Sequence, residues 1–180
     1  MNEVIMHTTQ QVLKFSVPAA VFFVTILSGY IIRNIIFRHL GKWTKNTKTQ
    51  IDDIIIGAVK GPFIVWSIML GIYFSLKVAA LPLDLVLIVN KTLFVLGVFS
   101  VTLVLANISK KLIQTYSAKV ESALPVTSLT QNISRIVIFG IGVLIILNNL
   151  GISITPILAT LGVGGLAVAL ALQDTLSNLF

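Results

Sequence analysis

Apolar residues run along this chain in blocks too long for the core of a small globular domain. A helix needs about 20 mostly apolar residues to cross a hydrocarbon layer of ~30 Å. Five stretches meet or approach that length: Phe15 to Ile32, Pro62 to Leu76, Leu85 to about Ile108, Ile136 to Leu150, and Ile154 to Leu172. The first has Pro18 in its expected opening turn and runs into Arg33, whose long stem can snorkel to an interface. It has no small-x-small cleavage site before Arg33 and is too long for the apolar core of a signal peptide, so it reads as a span. The third carries Asn90 and Lys91 near its start and is expected to continue as helix toward Leu124. The fifth leads with no expected break into Gln173, Asp174, Thr175, Leu176, Ser177 and Asn178. This pattern predicts an all-α transmembrane fold.

The segment between the first two stretches has its own pattern. Thr49 followed by Asp52 reads as a variant capping box, with Asp52 and Asp53 favoured by the positive end of a helix dipole. Ile51, Ile54, Ile55, Ala58 and Val59 then form one apolar stripe, as expected of a helix at the membrane surface or leading into the second span. Trp43 lies where an interfacial tryptophan is expected, and Arg33, Arg38 and Trp43 are the candidate lipid contacts at that interface.

Composition sharpens this picture. Hydrophobic residues are 56% of the chain, charged residues 11%, and the mean hydropathy is +1.00. A soluble domain has about 25% charged residues, so a soluble monomer is excluded. The formal net charge of +7 would suggest nucleic acid in a soluble protein; here it points to anionic lipid and to topology, with no nucleic-acid partner expected. Of the 13 basic residues, Arg33, Arg38, Lys42, Lys45, Lys48, Lys60, Lys110, Lys111, Lys119 and Arg135 fall in two connections on one side, and Lys14, Lys77 and Lys91 on the other. The richer side should be cytoplasmic, which puts the N-terminus outside and the C-terminus inside.

Candidate chemistry is sparse. With no cysteine there is no disulfide, thiolate or thiolate-bound metal, and the 6 acidic residues are scattered. No enzyme, metal or cofactor is expected. Gly162 to Ala167 matches the G-x-G-x-x-A dinucleotide fingerprint, but a short strand before it and a soluble helix after it are missing. Asn-x-Ser matches at Asn107 and Asn132 fall on the expected cytoplasmic side and are discounted as glycosylation sites.

The fifth stretch differs from the others. At about 100° per residue, Gly162, Leu166, Leu170, Gln173 and Ser177 share one stripe. Gly165 and Ala169 lie on one flank, and Ala167, Ala171 and Gly164 on the other. Small residues let membrane helices approach closely, so two such flanks suit a helix with like neighbours on both sides, as in a ring. Two rings of leucine would then form a constriction that stops ions by dewetting. The alternative is that these residues simply pack the helix inside a monomeric bundle.

The stretch from Leu129 to Phe180, above all Leu161 to Phe180, closely resembles the last two transmembrane helices of the small-conductance mechanosensitive (MscS-like) channel family. Thr49 to Asp53 with Pro62 also looks like the connection found in members with extra spans. The resemblance divides the chain into peripheral helices and loops over 1–128 and a helix pair over 129–180. It implies a five-helix membrane domain whose last helix lines the central pore of a homo-oligomeric ring, expected to be a heptamer. It further implies a tension-gated channel in a bacterial or archaeal plasma membrane, passing ions and small osmolytes on hypo-osmotic shock. By position, Leu166 and Leu170 would be the gate, and Gly162 and Gly165 would pack against Ala159 and Ala167 of the neighbouring subunit. Gln173 would end the straight segment, and Asp174, Ser177 and Asn178 would lie at the pore mouth. Val163 and Ala169 replace smaller residues of the family pattern, and Asp174 replaces a hinge glycine, leaving Ser177 or Asn178 to permit a bend. Asp174 would either favour cations at the mouth or pair locally with Arg135 or a loop lysine. Family members continue beyond this point into the rest of the bent helix and a β-rich cytoplasmic domain, so the chain is expected to be a fragment.

Two other functions fit a small membrane protein. A solute transporter subunit would place charged or polar groups in mid-span, and these spans are almost wholly apolar there. A membrane anchor for a larger complex is the other alternative.

Overall fold

The computed structural model describes residues 2–44, 51–79, 81–117 and 124–178, all of them helix or short connection. Helix α1 spans Asn2–Thr44, α2 Ile51–Lys60, α3 Pro62–Val78, α4 Leu83–Ser117, α5 Leu124–Asn149, α6 Thr155–Ala171 and α7 Gln173–Ser177. Among the described residues, three helical stretches are long and apolar enough to cross a membrane, Lys14–Gly41, Leu83–Ser117 and Thr127–Asn149, and α2 with α3, bent by 44°, makes a fourth where the pair is counted as one span. The fold is all-α and transmembrane, as the apolar blocks predict.

Helices α1 with α3, and α4 with α5, pack antiparallel through small residues. In the α1–α3 pair, a Cβ at Gly29 would lie 2.6 Å from the Cβ of Ser67, and a Cβ at Gly71 would lie 3.2 Å from the Phe22 ring. Farther along, Ser75 Oγ donates to the Pro18 carbonyl at 2.9 Å. Pro18 is thus not in an opening turn, as the sequence suggested, but deep inside α1. Having no N–H, proline frees a carbonyl of the preceding turn and bends the helix locally, and its own carbonyl is satisfied by Ser75.

Helices α3 and α4 meet where Trp66 Nε1 donates to Ser100 Oγ at 3.0 Å. In the α4–α5 pair, Thr102 faces Gly142, and the hydroxyls of Ser109 and Ser134 hydrogen-bond at 2.5 Å. The buried positions of α4 are Thr102 and Ala106, which share a face, and Val104 on the other side, all small or β-branched. Glycine and hydroxyl residues therefore seat the outer helices too, whereas the sequence assigned close approach to the fifth span alone. The physical reason is the solvent: lipid is as apolar as leucine, so helices associate by tight packing and hydrogen bonds.

These registers place Arg33, Arg38, Lys60, Lys110, Lys111 and Arg135 at one end of the bundle, and Lys14, Lys77 and Lys91 at the other. The α2 stripe does lead into a span: α2 starts with Asp52 and Asp53 in its first turn, ends with Lys60 in its last, and joins α3 at Gly61 with Pro62 opening the new helix. Thr49 and the side chain of Trp43 lie outside the described residues.

Candidate functional site

Helix α6 is set by its two ends. At its entrance α5 closes in a Schellman motif: Ile152 N–H donates to Leu147 O at 3.0 Å and Gly151 N–H to Asn148 O at 3.1 Å. Gly151 has φ +88°, a left-handed conformation costly for any residue with a Cβ. Pro156 then stands in the first turn of α6, where its missing N–H costs nothing, and Leu158 N–H bonds to Ile154 O at 2.9 Å. A stop and a start within a few residues fix the direction in which α6 leaves α5.

The far end is a break. Leu172 leaves helical geometry (φ −95°, ψ 1°), its N–H reaching back to Val168 O, and α7 restarts at Gln173. The sequence pattern gave no stop there, because Ala, Leu and Gln are all good helix formers. The break has a consequence for the predicted stripe. It divides that stripe between two helices: Gly162, Leu166 and Leu170 lie on one face of α6, and Gln173 and Ser177 belong to α7.

Among the described residues, α6 touches no helix except α7, and every residue from Thr155 to Thr175 is exposed. Leu166 is 63% and Leu170 62% exposed. A Cβ added at Gly162, Gly164 or Gly165 would meet nothing within 4 Å. The glycines of α6 thus differ from Gly29, Gly71 and Gly142, each of which is filled by a neighbour within the chain. Ala159, Ala167 and Ala169 are likewise free of intrachain contact with another span. At 17 residues, or about 25 Å at 1.5 Å per residue, α6 is apolar but slightly shorter than the outer spans.

Asp174 lies in the first turn of α7, with Asn178 N–H bonded to its carbonyl at 3.1 Å. It is exposed, and Arg135 does not pair with it: the guanidinium lies over the Phe139 ring, 5.6 Å from its centre. Arg33, by contrast, donates its Nε to the Lys60 carbonyl at 3.1 Å, and the exposed Arg38 lines a cavity with it. Lys60 was not singled out among the candidate lipid contacts. A signal was available in the sequence, since Lys60 ends one helix just before Gly61 and Pro62 begin the next.

The chain matches a family model described as "Mechanosensitive ion channel, transmembrane helices 2/3" over residues 132–173, from the body of α5 to the break before α7. It is 31% identical to the large-conductance mechanosensitive channel MscMJLR of Methanocaldococcus jannaschii, over 99% of this chain and 51% of that protein. The small-conductance mechanosensitive channel MscMJ of the same organism is also 31% identical, over 85% of this chain and 45% of that protein. An MscS family protein of Aquifex aeolicus is 29% identical over 92% of this chain and 46% of its own length. The chain spans about half the length of these relatives. No solved structure matches.

Proposed function

The chain belongs to the MscS-like family of mechanosensitive channels, and from that membership we propose that it forms the membrane domain of a homo-oligomeric ion channel opened by membrane tension. The observation that carries the proposal is the isolation of α6. It is an apolar helix of nearly membrane length, leaves its own subunit's bundle without contact, and has glycine and alanine open on two flanks. Like helices from neighbouring subunits fill both flanks, Gly162 and Gly165 facing Ala159 and Ala167, with Ala169 alongside.

With the flanks buried between subunits, Leu166 and Leu170 face the axis. Two leucine rings in a narrow pore exclude water, and an ion that would have to shed its hydration shell does not pass. Tension favours the state of larger in-plane area. The outer helices α1 to α5, which meet lipid, tilt and carry α6 with them through the stiff Gly151 to Pro156 connection, turning the leucines from the axis. Moving a two-state population from 1:99 to 99:1 takes ~5.5 kcal/mol of differential work, shared here by every subunit of the ring. A heptameric ring in a bacterial or archaeal plasma membrane, with the basic end cytoplasmic, then releases ions and small osmolytes on hypo-osmotic shock. Gln173, Asp174, Ser177 and Asn178 lie at its inner mouth.

The test is patch-clamp recording of the full-length protein in membrane patches under graded suction. The proposal expects discrete currents that rise steeply with tension. Folded oligomers without tension-dependent current would refute it.

A further inference from the structure

One cavity between the described helices is polar. It has a volume of about 280 Å³ and is lined by Arg33, Asn34, Phe37, Arg38 and Lys60. The cavities of about 470 and 380 Å³ along α4 are lined almost entirely by apolar side chains. Arg33, Asn34, Phe37 and Arg38 fall at i, i+1, i+4 and i+5, on one side of α1, and Lys60 is brought to them by the bend between α2 and α3.

Three cations converge there without a counter-charge. Among the described residues none of the three forms an ion pair, and Asp52 and Asp53 are at the opposite end of α2. Part of the arrangement is structural: Arg33 Nε satisfies the Lys60 carbonyl at the C-terminal end of α2, where a helix dipole favours a cation. That bond commits one edge of the guanidinium and leaves its two Nη groups as a fork, the edge that matches two oxygens of a phosphate. Arg38 makes no hydrogen bond to a described residue, and Asn34 adds an amide. Gathering three like charges in a small cavity costs free energy that a bound anion would recover.

The position identifies the source of the anion. Arg33 is the residue at which the apolar run of α1 ends, and Lys60 lies just before Pro62, where the apolar run of α3 begins. The cavity is therefore level with the boundary of the hydrocarbon layer, where lipid phosphates lie. Phe37, one turn beyond Arg33 along α1, meets Phe63 of α3 edge to face, ring centres 5.8 Å apart, and Ile36 and Ile64 are exposed. A polar cradle beside apolar side chains fits an amphiphile. At ~30 Å³ per water, the cavity holds a phosphodiester together with some of its hydration.

We propose that Arg33, Arg38, Lys60 and Asn34 form a binding site for the phosphate of an anionic phospholipid, which bridges α1 to the bend between α2 and α3. The site belongs to the outer helices and stands whether or not α6 lines a pore.

The experiment is native mass spectrometry of the delipidated full-length protein titrated separately with phosphatidylglycerol and phosphatidylcholine. Wild type should retain phosphatidylglycerol in preference, saturating at one per subunit. Arg38→Gln and Lys60→Gln should each weaken that binding about fivefold, from ~1 kcal/mol per basic residue at a membrane surface. Arg38 anchors nothing inside the protein, so its loss leaves the fold intact, and the same spectra report the oligomer. The double substitution Lys110→Gln with Lys111→Gln removes two cations from the same end of the bundle outside the cavity and should leave the binding unchanged. An equal loss in that control would overturn the proposal in favour of diffuse surface charge. Equal retention of the two lipids, or displacement of phosphatidylglycerol by inorganic phosphate at matched concentration, would overturn it as well, the latter assigning the site to free phosphate.

Discussion

Thr102 fills the space that Gly142 leaves empty: a Cβ at position 142 would lie 2.8 Å from Thr102 Cγ2 and 3.1 Å from its Cβ. Thr102 is buried, and its hydroxyl already donates to Val98 O at 2.8 Å, so the side chain has no free rotamer to retreat to. Gly142→Ala should therefore destabilise the α4–α5 pair by about 1–3 kcal/mol, the usual cost of overpacking. Thermal unfolding in detergent measures it. Adding Thr102→Ala should recover most of the loss, a coupling that a double-mutant cycle isolates.

Gly151 makes a different case, one of backbone rather than space. Nothing lies within 4 Å of a Cβ there, yet φ is +88°. Gly151→Ala should cost about 1–2 kcal/mol through left-handed strain and loosen the connection that aims α6. Gly140→Ala has equally open surroundings within α5 and should be neutral or stabilising, by up to about 1 kcal/mol, since alanine is the better helix former. The unfolding midpoint of Gly151→Ala should fall, and that of Gly140→Ala should hold or rise.

The gate predicts a hydration effect. Leu166→Ser or Leu170→Ser removes an apolar side chain, worth about 1.5–3 kcal/mol of burial per subunit, from the face assigned to the axis. Either substitution should lower the suction needed for opening or give spontaneous current. An unchanged threshold in both would remove these leucines from the gate.

Asp174 is exposed and unpaired with Arg135, which is occupied by Phe139. Repeated around a ring, its charge at the mouth should favour cations. Asp174→Asn should shift the reversal potential in a salt gradient toward the anion value, and an unmoved potential would assign Asp174 no part in selectivity.

The apolar blocks made the helices legible, because a run of about 20 apolar residues has few uses outside a membrane. Their ends were less so. Helix α1 extends well beyond Phe15 and Ile32, since polar residues such as Thr8 and Gln10 are compatible with helix even where they say nothing of burial. The continuation of the third span as helix was readable and is seen in α4 to Ser117. Partner choice was not. The fifth stretch stood out by its two small-residue flanks, but nothing in the sequence showed that Gly142 too would be packed, against Thr102, because a glycine's environment is supplied by whichever helix comes to it. The break at Leu172 was not legible in the periodicity, because local propensity favours helix through it, but it falls one residue before Gln173, where the family resemblance ends the straight segment. The cavity of Arg33, Arg38 and Lys60 was half visible, its arginines marked as interfacial and its lysine supplied by a bend that brings distant segments together.

The most direct test of the account asks which face of α6 meets the permeating ions. The sequence contains no cysteine, so Leu166→Cys, Leu170→Cys and Val168→Cys each introduce a thiol where this chain has none. Val168 lies about 200° around the helix from Leu166. A charged methanethiosulfonate reagent applied to channels held open by suction should change the single-channel current through Leu166→Cys and Leu170→Cys and leave Val168→Cys unaffected. Modification of current at Val168→Cys with none at the two leucine positions would contradict the assignment of α6's leucine face to the pore.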